Sequence, residues 1–125
     1  MENQEKINEI VINNVTLVPK SAVKTMAFDS DGKPYQIVRT YSAGVFAGYI
    51  EKRDGQEVTM RNARRLWQWD GAASLSQLAM EGTKKPQNCK FPCEVDKIEL
   101  MEAIEILEVT EKSKKSIAEV AIWKM

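Results

Sequence analysis

Apolar and polar positions alternate through Tyr35–Tyr41 (YQIVRTY) and again on either side of Asp54-Gly55, the period of two that half-buried strands show. Asp54-Gly55 is a dipeptide that supplies the positive φ values of a type I′ turn, so the pattern predicts a hairpin with those two residues as its loop. In that register Lys52 faces Glu57, Ile50 faces Thr59, Gly48 faces Arg61, Phe46 faces Ala63 and Gly44 faces Arg65. One face then carries Gly44, Phe46, Gly48, Arg61, Ala63, Arg65 and Trp67. The other carries Val45, Ala47, Tyr49, Val58, Met60, Asn62, Arg64 and Leu66; it is the more apolar and is the predicted core face.

The flanking segments follow the same logic. Ile10–Val18 is β-branched, ends at Pro19, and reads as a strand with a break at Asn13-Asn14. Ser21–Phe28 reads as a second strand, because a helix that short with Val23 and Thr25 is marginal. Asp29–Pro34 (DSDGKP) is dense in turn formers and begins like a calcium loop. It lacks the closing glutamate, since Thr40 falls at that position, so a plain turn is expected. Ser74–Gly82 has a capping serine, Gln77 three residues on and a terminal glycine, which predicts a short helix. Phe91–Val95 reads as a short edge strand. Lys97–Thr110 (KIELMEAIEILEVT) fits a helix with Leu100, Ala103, Ile104 and Leu107 on one face, and equally strands aligning Ile98, Leu100, Ile104 and Ile106. Thr110–Val120 opens with a capping threonine and an acidic first turn and reads as a mostly exposed helix. The apolar end, Ala121-Ile122-Trp123, should dock on the domain or on a neighbour.

The expected fold class is therefore mainly β, a β-rich α+β domain: a compact small barrel or strongly bent antiparallel sheet with two short helices. At 125 residues the chain has room for one domain. It spans 10–125 behind a polar tail at 1–9.

Charge narrows the function classes. Eighteen basic residues balance eighteen acidic ones, so nothing global points to nucleic acid or an anionic membrane, and affinity for anions must be local. The polar, acidic start and the lack of a long apolar run lead to the expectation of a cytoplasmic protein. There is no histidine, so Ser-His or Cys-His nucleophiles are excluded within one subunit. No glycine-rich phosphate loop is present, and a non-enzymatic role is expected, without cofactor. An enzyme using Asp70 or Glu51 is the remaining catalytic alternative. Cys89 and Cys93 stand in CKFPC without histidine to complete a zinc site. No metal is expected, save a zinc shared between subunits, and reduced half-buried thiols are the plainer reading.

The candidate binding residues are Arg61, Arg64, Arg65, Trp67 and Trp69, with Ser42 at the mouth of the groove and Ser74 at a helix start. Arginine forks grip phosphate and indole faces stack on planar rings, so the cluster suits a phosphate-bearing small molecule. Against this stands a structural reading: tryptophans as core or interface aromatics, arginines paired with Glu51 or Glu57, and Ser74 as a plain cap. Trp67, Trp69 and Trp123 near the ends of elements also suggest a homo-oligomer.

Taken together, RTYSAGVFAGYIEKRDGQEV, NARRLWQWDGAASLSQLAMEG and IELMEAIEILEVTEKSKKSI resemble a family of small, mostly uncharacterised proteins encoded by tailed bacteriophages and prophages. The similarity covers about residues 37–123, and its distinctive part is the ARR-W-W-GA-SL pattern. In that family the segment matching Ile98–Thr110 is isoleucine-rich and often carries proline near the position of Glu108. The resemblance therefore implies strand there, although this chain has no proline. It also implies phage or prophage origin and brings no catalytic activity with it. The expected function is a phage accessory binding protein acting on a nucleotide-like ligand or a host protein to blunt host defence. A structural or morphogenetic role through oligomer contacts is the alternative.

Overall fold

The computed structural model describes residues 10–12, 15–17 and 25–125. Strands β1 (Ile10–Ile12) and β2 (Val15–Leu17) pair antiparallel, Ile10 opposite Leu17, on either side of the break expected at Asn13-Asn14. Residues 1–9 and most of the strand expected over Ser21–Phe28 lie outside the described residues. Its end, Met26 and Phe28, bridges to Thr110 and Pro34.

The remaining strands are β3 (Tyr35–Thr40), β4 (Val45–Asp54), β5 (Glu57–Arg65), β6 (Glu94–Leu100) and β7 (Ala103–Glu108). They form one antiparallel sheet in the order β6-β5-β4-β3-β7. The ambiguous stretch 97–110 is thus strand, with a reversal at Met101-Glu102 separating β6 from β7. Those two strands sit at opposite edges of the sheet yet are joined by only that reversal, so the sheet must bend until its edges converge at one end. The Ala103 amide there donates to Gln56 O at 3.0 Å and the Tyr41 amide to Glu102 O at 2.9 Å. Of the two expected architectures the protein is the bent sheet, not the closed barrel.

Bending gives the sheet two buried faces. Inside the curve, Val38, Phe46, Val58, Met60, Ala63, Leu100 and Ala103 pack on one another. On the outer face, Tyr35, Ile37, Ala47 and Leu66 pack against Leu78, Ala79, Phe91 and Ile117 beneath helices α1 (Leu75–Glu81) and α2 (Glu111–Glu119). Both helix starts follow from local sequence. Ser74 Oγ accepts from Gln77 N at 3.1 Å, while Gln77 Oε1 accepts from Ala73 N at 2.7 Å; Thr110 Oγ1 accepts from Ser113 N at 3.0 Å. Helix α2 is mostly exposed, as expected, with Ser113 and Ile117 buried on its inner side. The Asp29 loop is the plain turn expected: its carboxylate accepts from the amides of Asp31 and Lys33 at 2.9 and 2.7 Å.

The central hairpin differs in register from the alternation-based expectation. Asp54 pairs with Glu57 and the loop is Gly55-Gln56. Gly55 has φ 61° and Gln56 does not share it, the signature of a type II′ turn with glycine first. Two bulges then act in succession. The register slips between Ile50 and Lys52, and slips back between Ala47 and Tyr49, where Asn62 adopts φ 50°. On β5 every side chain before the extra residue at Asn62 therefore changes face relative to simple alternation. Val58 and Met60 consequently lie inside the curve, and not with Ala47 and Tyr49 as expected. Phe46 faces Arg65, Ala47 faces Arg64 and Tyr49 faces Arg61.

Candidate functional site: an indole pair with flanking cations

The same bulges divide the arginine cluster. Arg61 shares Tyr49's outer face and donates from Nε to Glu51 at 3.1 Å. Arg65 lies on Phe46's face, with its guanidinium carbon 4.6 Å from the ring centroid. The expected groove with Arg61 and Arg65 side by side over Gly44 and Gly48 is not formed. Gly48 instead makes room for the bulge with its bare backbone, since a Cβ there would lie 2.8 Å from Ala63 Cα and 2.9 Å from Arg61 O.

Arg64 is 5 % exposed and fully engaged. Its Nε donates to Pro92 O at 2.8 Å, Nη1 to Ile117 O at 2.8 Å, and Nη2 to Phe91 O at 3.0 Å and Val120 O at 2.8 Å. The guanidinium thus caps the carboxyl end of α2 and ties it to the segment before β6. Burial pushes its pKa below the ordinary value, and the carbonyls offset the lost hydration.

Among the other expected site residues, Ser74 caps α1. Ser42 donates to Glu102 Oε1 at 2.5 Å, and Trp69 is partly buried against the outer core. Asp70 organises the loop before α1. Its carboxylate accepts from Gly71 N and from Asn88 Nδ2 at 2.9 Å, and its carbonyl accepts from Thr83 Oγ1. The Asn88 contact, then the Gly71 amide, holds the Asp70 carboxyl below the usual range. Cys89 is buried and Cys93 exposed, both as free thiols. Among the described residues no group of three or more acidic or cysteine side chains is placed to hold a metal.

Trp67 lies two residues beyond Arg65, and two other residues join it. Beyond β5 the chain alternates buried Arg64 and Leu66 with exposed Arg65 and Trp67. Gln68 and Lys90 exchange both backbone hydrogen bonds, and the Trp123 amide donates to Phe91 O at 2.9 Å. Three segments therefore run side by side, with Phe91 turned into the core and Lys90 outward. The Trp67 and Trp123 rings stack, centroids 4.9 Å apart at 19°, yet stay 55 % and 42 % exposed. Lys90 Nζ lies 5.8 and 5.7 Å from the two centroids. Ile122 and Val95 are also exposed. The result is a flat π surface with the Lys90 ammonium over it, able to stack a planar group and attract its negative charge, while the Arg65 guanidinium lies over the Phe46 ring. Lys90 carries no sequence signal, standing between two cysteines. The Trp123 position has one, since an apolar end of this kind is expected to dock.

The family model of a domain of unknown function (DUF6948) matches residues 33–117. The chain belongs to this family. The DUF6948 span runs from the turn before β3 into α2 and contains Arg65, Trp67 and Lys90, while Trp123 lies outside it. No curated protein and no solved structure matches the chain. Among the described residues no helix is long and apolar enough to cross a membrane.

Proposed function

We propose that the protein is a non-enzymatic binding protein that holds a planar, phosphate-bearing ligand of the nucleotide type on the Trp67–Trp123 surface. The observation that carries this reading is the exposed indole stack with Lys90 above it. A buried core pair would need no exposure, and a solvated charged face would need no indoles. A base ring stacks on the outer indole face while Lys90 and Arg65 take the phosphate. The resemblance to phage and prophage proteins supports a setting in the bacterial cytoplasm, where capture of a signalling nucleotide blunts a host defence.

The test is tryptophan fluorescence during titration with cyclic and linear nucleotides, repeated in Trp67→Ala and Lys90→Gln. Saturable quenching that both substitutions weaken supports the reading. Absence of quenching by every nucleotide to millimolar concentration overturns it.

A second reading, a structural role through self-association with a sister subunit covering this surface, is favoured by Ile122 lying exposed next to Trp123 in the chain. Light scattering separates the two: this reading needs an oligomer that Trp67→Ala dissociates.

A further inference from the structure

A second basic feature lies on the outer face and owes nothing to the indole pair. Tyr35 of β3 is directly opposite Tyr49 of β4, Tyr49 opposite Arg61 of β5, and Arg61 opposite Lys97 of β6. One row thus crosses four strands at right angles, ending in two cations. Helix α2 covers its Tyr35 end, where Lys114 Nζ lies 5.8 Å from the Tyr35 ring centroid and 5.1 Å from that of Tyr49. Beyond the helix Arg61 and Lys97 are exposed.

Like charges directly opposite on adjacent strands destabilise a sheet. Arg61 and Lys97 hold that relation, and Glu51 answers only part of it. Its carboxylate takes the Arg61 Nε at 3.1 Å, and the Arg61 Nη groups make no hydrogen bond among the described residues. Arg61, Lys33 and Lys97 all act on Glu51 and keep its carboxyl below the usual range. Lys114, whose Nζ lies 5.1 Å from the Tyr49 ring centroid, has Tyr49, Glu111 and Asp29 within electrostatic reach. Glu99 follows Lys97 by two positions on β6, opposite Thr59. The bulge at Asn62 is what sends Arg61 to this face, so the repulsive pair is built by a specific backbone distortion.

We propose that the Tyr49–Arg61–Lys97 row, with Lys33 and Lys114 at its flanks, is an oxyanion site for a ligand carrying linked phosphates. One phosphate bridges the Arg61 Nη groups and Lys97, relieving their repulsion; a neighbouring phosphate reaches Lys33 or Lys114. The chemistry read is the phosphate chain, whether free or attached to a nucleoside.

Inorganic tripolyphosphate is the probe, titrated by calorimetry into the full chain at low salt. Saturable binding is expected, weakened about tenfold or more in Lys97→Gln and unchanged in Trp67→Ala. Lys97→Gln removes a repulsive charge and leaves the sheet intact, so a loss of binding there is not a loss of fold; thermal melting checks this. Equal affinity for tripolyphosphate and a nucleoside triphosphate supports a site that reads phosphate alone. No heat with tripolyphosphate, unchanged affinity in Lys97→Gln, or binding that needs the nucleoside and Trp67 each overturns the proposal.

Discussion

Arg61 and Arg65 stand on opposite faces of the sheet, although an interval of four residues keeps side chains on one face in a regular strand. Arg61 lies opposite Tyr49 on the outer face and Arg65 opposite Phe46 on the inner one. The inversion comes from one extra residue at Asn62, in the left-handed region at φ 50°, and from Gly48, whose missing side chain admits the displaced backbone of Ala63. The two candidate surfaces therefore depend on a single distortion.

Asn62 tolerates its conformation because a short polar side chain suits the left-handed region, where a β-branched one is strained by roughly 1–2 kcal/mol. Asn62→Val should accordingly lower stability by about that amount and Asn62→Gly should be near neutral, as measured by urea unfolding. Equal stability of the two variants would contradict the assigned backbone.

Gly48→Ala should be costlier than its single methyl implies. The added carbon meets backbone atoms of Ala63 and Arg61 under 3 Å away, and backbone cannot swing aside as a side-chain end can. A loss of about 1–3 kcal/mol is expected, with amide-shift changes centred on Arg61–Ala63 in NMR spectra.

Arg64→Met keeps the apolar stem but leaves the carbonyls of Phe91, Pro92, Ile117 and Val120 without their donor. Unpaired buried acceptors cost about 1–3 kcal/mol each before relaxation, so a loss of about 3 kcal/mol in denaturant unfolding is expected. Arg64→Lys should recover only part of it, since an ammonium lacks the planar fork that reaches both α2 and the segment before β6.

Acid should loosen the loop before α1. The Asp70 carboxyl titrates below its ordinary 3.8 in the folded chain, so it binds protons more readily when unfolded. Its contribution is fully present above that value and is lost as pH falls through the lower folded value. Glu51, lowered by Arg61, acts in the same direction. Melting temperature should therefore fall on acidification below about pH 4, with a shallower fall in Asp70→Asn. Parallel slopes in the two proteins would remove Asp70 from the account.

Much of this architecture is local in origin and is legible in the sequence for that reason. Ser74, Gly82 and Thr110 end or begin helices through contacts within a few residues, and the alternation that puts Arg64 with Ala47 and Leu66 holds. The strand identity of 97–110 is not in its periodicity, because a two-residue reversal at Met101-Glu102 splits a pattern that reads equally as one helix. The hairpin register is hidden for a different reason. A bulge adds one residue without altering the apolar pattern on either side, yet every residue of that strand beyond it changes face. Simple alternation therefore puts Arg61 and Arg65 in one groove, where the folded chain separates them. Arg64's role is invisible as well, since its acceptors are backbone carbonyls from distant segments that no side-chain motif marks.

The indole pair yields the prediction that separates packing from recognition. Trp67 reaches its place through the Gln68–Lys90 bridge and Trp123 through its amide bond to Phe91, so each indole is held independently of the other. Removing either ring should leave the partner's backbone in place and cost mainly the stacking itself. A double-mutant cycle over Trp67→Ala and Trp123→Ala should give a coupling of about 0.5–1.5 kcal/mol in unfolding stability. That coupling alone would be satisfied by packing. If the surface also stacks a nucleotide ring, Trp67→Ala should weaken ligand binding by about tenfold, on the scale of 1–3 kcal/mol per stacked base, and Arg65→Ala should weaken it without touching the stability coupling. Trp67→Ala and Arg65→Ala that both bind nucleotides as the parent does would leave the stack a purely structural clasp for the end of the chain.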